Sequence, residues 1–194
     1  MRCITPAEAD NIFGSTGLAV SLDHAWYRKA LVLREDQTRG ESRIGGRPTL
    51  DTSQLALFAL EVNSWLPTDD CRLLWIDHWN SDYPSVDQMF VAARLGLGEA
   101  RSLSEAPGHL FDSYPYHERD QAEISPDQAK EISILVSLMS LIMIGGWDAW
   151  LVTNASTNRV EFWEGNIFFH TKVPTMLSSA EGLLARFNCS RTLR

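Results

Sequence analysis

Ser125–Val152, SPDQAKEISILVSLMSLIMIGGWDAWLV, is the stretch whose reading decides the fold. Within it Ile132–Ile144 is the longest apolar run of the chain, interrupted only by Ser133, Ser137 and Ser140. Thirteen residues suit a buried helix and fall short of the ~20 that a membrane crossing needs. Ser125-Pro126-Asp127-Gln128 opens it as a capping box, with a hydroxyl for an unsatisfied N–H, proline at the first helical position and a glutamine three residues on. Gly145-Gly146 stops the helix, and Trp147–Val152 follows as a strand. Apolar residues on nearly every side predict a helix covered on more than one face.

Working outward toward the C-terminus, Asn154–Asn158 is a turn whose residues tolerate positive φ. Arg159–Trp163 returns as a hairpin partner, with Val160 and Phe162 alternating against Arg159, Glu161 and Trp163. A further strand is expected at Ile167–His170 and a closing helix at Pro174–Phe187. Toward the N-terminus, Ser85-Val86-Asp87-Gln88 is another capping box, launching a helix to about Leu95. Cys71–Trp79 carries apolar residues on both faces, as an inner strand does. Asp51 or Thr52 caps a helix running to Trp65, and Thr5-Pro6-Ala7-Glu8 opens a short one to about Phe13. Lys29–Arg34 reads as a strand, and residues 36–48, with Gly40, Gly45, Gly46 and Pro48, read as a mobile loop. The sum is a single α+β domain over residues 1–194. It has a partly antiparallel sheet of four or five strands and about five helices packed mainly on one face.

The net charge of −8 is unevenly placed. Residues 51–125 hold thirteen Asp or Glu against four Arg, whereas residues 1–50 and 126–194 are close to balance. Such a field repels nucleic acid and attracts basic partners. The three cysteines, Cys3, Cys71 and Cys189, are odd in number and widely spaced, which suits a reducing compartment. The first residues lack the apolar core of a signal peptide, so a cytoplasmic location with no membrane association is expected.

No catalytic motif stands out. Gly14-Ser15-Thr16-Gly17 and Gly96-Leu97-Gly98 lack the pattern of a phosphate-cradling loop. The five histidines, His24, His78, His109, His117 and His170, are scattered singly, so no metal site and no cofactor are assigned. Asp77 and His78 sit on opposite sides of one strand and cannot share a pocket without a bulge. Asp77 is better read as bonded to a nearby loop backbone. Trp75–Tyr83, WIDHWNSDY, is different in kind: Trp75, Asp77, Trp79, Asp82 and Tyr83 set aromatic anchors among carboxylates, as a surface for a basic protein would. The same residues also fit a structural reading with the aromatics inward and the acids solvated. Trp163 and Glu164 repeat the signal more weakly beside a turn.

Three phrases also carry a resemblance: LLWIDHWNSDYPSVDQMF, EAPGHLF, and the apolar helix ending in GGWDAWLV. Over roughly residues 72–170 they resemble a family of small acidic bacterial proteins of uncharacterised function. Its pattern combines a W-x(3)-W strand, a Y/W-P-S turn, a P-G-H-L-F stretch and a G-W-D strand entry. The resemblance implies an intracellular bacterial setting and an association with toxin-immunity sets, and it carries no catalytic residues. The expected function is therefore a non-enzymatic binding protein that sequesters a protein partner, a bacterial toxin foremost. Two alternatives stand beside it. One is a small hydrolase or metal-dependent enzyme with a site near Asp77, His78 and His109; the other is a structural subunit of a larger assembly.

Overall fold

The computed structural model describes residues 2–21, 30–33, 39–49, 51–67, 71–77, 108–111, 126–154 and 156–192. They form an α+β structure with ten strands, four α-helices and one 3-10 turn. The strands are β1 (Arg2–Ile4), β2 (Leu18–Ser21), β3 (Ala30–Leu33), β4 (Ser42–Arg47), β5 (Arg72–Ile76), β6 (Gly108–Phe111), β7 (Ala149–Thr153), β8 (Arg159–Trp163), β9 (Asn166–Thr171) and β10 (Ser190–Arg191). The helices are α1 (Pro6–Phe13), α2 (Thr52–Trp65), α3 (Pro126–Gly145) and α4 (Pro174–Arg186). Eight strands make one sheet in the order β1-β6-β5-β7-β8-β9-β4-β10, and β2–β3 is a separate hairpin. Every pair is antiparallel.

The sheet is thus larger than the four or five strands expected, chiefly because short edge strands carry little periodic signal. β10 spans two residues and β1 three. Residues 42–47 are the clearest correction: they were read as part of a mobile loop and instead form β4, paired along its length with β9. Their glycines serve close approach. A Cβ on Gly45 would stand 2.1 Å from Cδ1 of Phe168, its cross-strand partner, and one on Gly46 would stand 2.9 Å from the Ser190 carbonyl oxygen.

The opening stretch ends as its glycines require. Gly146 takes φ +65°, and the Trp147 N–H reaches back to the Ile142 carbonyl at 3.0 Å, closing a Schellman turn. A Cβ on Gly145 would stand 2.6 Å from the Trp147 ring, so this glycine makes room for the ring that seals the helix end. α3 buries Ile134, Leu135, Leu138, Met139 and Ile142, a single stripe at helical spacing. Ile132, Val136, Leu141 and Met143 pack beside that stripe, while exposed Ser133, Ser137 and Ile144 leave one side of the helix open.

Two apolar clusters hold the sheet. On one face α2, α3 and α4 pack on Leu74, Ile76, Leu151, Val160, Phe162, Ile167 and Phe169. On the other, α1 and the β2–β3 hairpin cover Leu73, Trp75 and Val152. β5 is buried on both faces, as an inner strand should be. Among the described residues no helix is long and apolar enough to cross a membrane. Ser85–Leu95 and Ser125 lie outside the described residues.

Candidate functional site at the polar half of the sheet

Alternation places β5, β7, β8, β9 and β4 side chains on the two faces in turn. On the face opposite the α2–α4 layer, the register sets Trp75, Trp150, Glu161, Phe168 and Gly45 in one row across five strands. The neighbouring row runs Leu73, Val152, Arg159, His170 and Arg43. The α1 side of this face is apolar. The β8–β9–β4 side is ionic and aromatic.

Glu41, just before β4, forms an ion pair with Arg159, and both side chains are buried. His170 lies between two carboxylates, with Nε2 at 3.1 Å from Oε2 of Glu161 and Nδ1 at 3.5 Å from Oε2 of Glu41. Arg43 completes the lattice, donating to Glu161 at 2.7 Å while its guanidinium carbon sits 3.7 Å from the Phe168 ring centroid. The Trp150 ring lies 5.6 Å from that of His170. Burial lowers the pKa of Arg159 from its ordinary value, and the Glu41 and Glu161 charges oppose that shift. Glu41 Oε1 and Arg159 Nε, both buried, have no hydrogen-bond partner among the described residues. Two carboxylates and two guanidinium groups thus largely neutralise one another, and no hydroxyl or thiol nucleophile is bonded into the lattice among the described residues.

A second polar group gathers at one end of the sheet. The Asp77 N–H donates to the Asp148 carbonyl at 3.0 Å, and the Glu164 N–H donates to Asp148 Oδ1 at 2.9 Å. Asp77 Oδ1 accepts the Leu31 N–H at 3.1 Å, and the Trp75 side chain also bonds to this carboxylate. Burial raises the Asp77 pKa well above the usual carboxylate range. The Leu31 bond opposes the shift, while the Asp148 and Glu161 charges add to it. Asp77 therefore ties the β2–β3 hairpin to β5: its carboxylate bonds a backbone N–H, but that of a strand and not of a loop, and it is spent on the fold and not offered to a partner.

The structure separates the residues named from sequence. Trp75 is fully buried between β5 and the hairpin, so it is a core side chain and not a surface anchor. Both faces of the strand are covered, as its two apolar faces predict, and Trp75 belongs to that cover. Trp79, Asp82 and Tyr83 lie outside the described residues. Trp163 is half-buried at the end of β8, and Glu164 is exposed in the β8–β9 turn with φ +49°. His78 also lies outside the described residues, and the His109 backbone pairs with Leu74 and Cys3. Among the described residues no three His, Cys, Asp or Glu side chains are grouped to hold a metal. The Cys189 thiol is pushed up to about 11 by burial, far from a reactive thiolate.

The ionic lattice was missed because Glu41 and Arg43 fell in the supposed loop. The alternation of Arg159 and Glu161 with Val160 and Phe162 was its one visible trace. No family model matches the chain, and no curated protein or solved structure matches it.

Proposed function

We propose that the chain is a non-enzymatic binding protein that sequesters a basic protein partner, acting as an immunity protein toward a cognate bacterial toxin. One observation carries this reading. Asp148 bonds both Asp77, where β5 ends, and Glu164, in the β8–β9 turn. The chain continues directly from Asp77 into the segment that holds Trp79, Asp82 and Tyr83. Asp77 and the β8–β9 turn that holds Glu164 therefore lie at the same end of the sheet. Trp79, Asp82, Tyr83, Trp163 and Glu164 are the recognition residues this reading assigns. The acidic surplus of residues 51–125 supplies the field that draws a basic partner in.

Binding to the product of the adjacent gene tests the proposal. A complex is expected whose association slows by tenfold or more, in order of magnitude, as salt is raised through the physiological range. Glu164→Lys should slow association further and leave folding unchanged, because the structural contact at this position is made by its backbone N–H. Absence of a complex, or an association rate indifferent to salt, refutes the reading.

A further inference from the structure

We propose that the outward face of the α2–α3–α4 layer is a dimer interface, and that its occupant is a second copy of this chain. The layer displays apolar knobs beside a recess. Leu57 and Leu60 project from α2 with 57% and 40% of their surface exposed. One turn further along α2, a groove of about 340 Å³ opens against α4, between Ser64 and Glu61 on one wall and Ser179, Gly182 and Arg186 on the other. Buried Trp65 and Leu183 form its floor. Nothing lies within 4 Å of where a Gly182 Cβ would stand, so the missing side chain leaves the recess open. Knob and recess on one patch are what a two-fold interface requires, since each copy offers both to the other.

Four exposed serines of the layer are already satisfied. Ser133 donates to the Ala129 carbonyl at 2.8 Å, Ser137 to Ser133 at 2.7 Å, Ser64 to Leu60 at 3.0 Å and Ser178 to Pro174 at 3.3 Å. Each bond lies within its own helix, so these serines lose little when water is removed. A surface that looks polar in composition behaves as a smooth, readily dried one.

Charge and area agree with a self-pairing partner. Two copies that each carry −8 repel over most of their surface. On α2 and α4 the charges within the groove are Glu61 and Arg186, which pair at 2.8 Å and cancel. The pair adds no net charge to the groove, and either charge can exchange to its counterpart across a two-fold axis. α3 has 20 residues. α2 and α4 have 14 and 13. At 1.5 Å per residue the three extend about 30, 21 and 20 Å, and at a width of 8–10 Å each they cover on the order of 600–700 Å². That lies within the range one partner contributes to a standard interface, roughly 600–1,000 Å². The ionic lattice of β8, β9 and β4 lies on the opposite face of the sheet and takes no part.

Light-scattering mass measurement on the wild-type chain, up to roughly 100 μM to populate even a weak dimer, tests the inference. The mass should be twice 21.8 kDa. The double variant Leu57→Asp/Leu60→Asp removes the knobs, and Gly182→Phe fills the recess. All three sites are exposed, and both variants should keep the wild-type circular dichroism and fall to the monomer mass. A wild-type monomer across the whole range overturns the inference. So does a dimer that survives either variant, since the knob and the recess must then not be reciprocal.

Discussion

Gly45→Ala distinguishes two physical readings of one residue by the sign of its effect. Were Gly45 in a mobile loop, alanine would narrow the unfolded ensemble and raise stability by about 0.4–1 kcal/mol. In β4 its backbone is not in the left-handed region, so alanine incurs no strain in φ. The new methyl would instead stand 2.1 Å from Phe168 Cδ1, 2.6 Å from Cε1 and 2.7 Å from the Ile167 carbonyl oxygen. Phe168 is 1% exposed and has the Arg43 guanidinium on its ring, so it cannot swing aside without dismantling that contact. Overpacking of this kind costs about 1–3 kcal/mol, which exceeds the unfolded-state gain. The net loss of ~1–2 kcal/mol corresponds to a melting temperature roughly 2–8 °C lower for a chain of this size. Urea unfolding followed by circular dichroism reads it as a lower midpoint at constant slope. Gly14→Ala is the control, because at φ −59° with nothing within 4 Å of the new methyl the same change should raise stability by up to about 1 kcal/mol. A Gly45→Ala midpoint equal to or above the wild type refutes the placement of Phe168 over β4.

Two further substitutions test the polar groups. Glu41→Ala leaves the buried Arg159 charge without its main counter-ion and should cost about 3–5 kcal/mol, whereas Glu41→Leu/Arg159→Leu should recover most of the loss. Unfolding free energies of the three proteins check this, and a double variant as unstable as the single refutes it. Asp77 titrates well above the ordinary aspartate value in the folded chain, so the folded state holds its proton more tightly than the unfolded chain does. Its contribution is therefore full below about pH 3.9 and is lost as pH rises through the raised folded value. Asp77→Asn should gain on the wild type with rising pH, while its carbonyl still accepts the Leu31 N–H. A stability difference that is flat in pH between about 4 and 8 contradicts that assignment.

The elements that could be read from sequence are those whose signals are local. The Thr5–Glu8 capping box forms, with the Thr5 N–H donating to Glu8 at 2.8 Å, and Asp51 caps α2 by accepting the Gln54 N–H at 2.9 Å. The β7–β8 hairpin and the boundaries of α4 also follow the pattern closely. Two things escaped. Gly45 and Gly46 looked like loop residues because a glycine needed for close approach is indistinguishable, in one sequence, from a glycine needed for flexibility. Trp75 looked like an anchor because its burial depends on α1 and the hairpin, elements distant in sequence. The two apolar faces of Cys71–Trp79 signal that both sides of β5 are covered, but not which elements cover them. The candidate site was half legible: the charged side of β8 was visible, while its partners Glu41 and His170 come from strands that only the register brings together.

That register also separates stability from recognition. In the lattice of Glu41, Arg43, Arg159, Glu161 and His170, opposite charges lie within a few ångströms, so their fields cancel at a distance. They can hold β4, β8 and β9 together but cannot steer a partner. The long-range field must come from the surplus of carboxylates in residues 51–125 and from exposed groups such as Glu164. Substitutions in the two groups should therefore separate cleanly. Glu41→Leu/Arg159→Leu leaves the net charge at −8 and should leave the partner's association rate and its salt dependence as they are. Glu164→Lys changes the net charge by two units at an exposed turn and should alter the rate with the unfolding midpoint unmoved. If instead the neutral lattice variant slows association as much as the charge reversal does, steering arises from the sheet face, and the recognition surface lies on the lattice and not at the Asp148 end of the sheet.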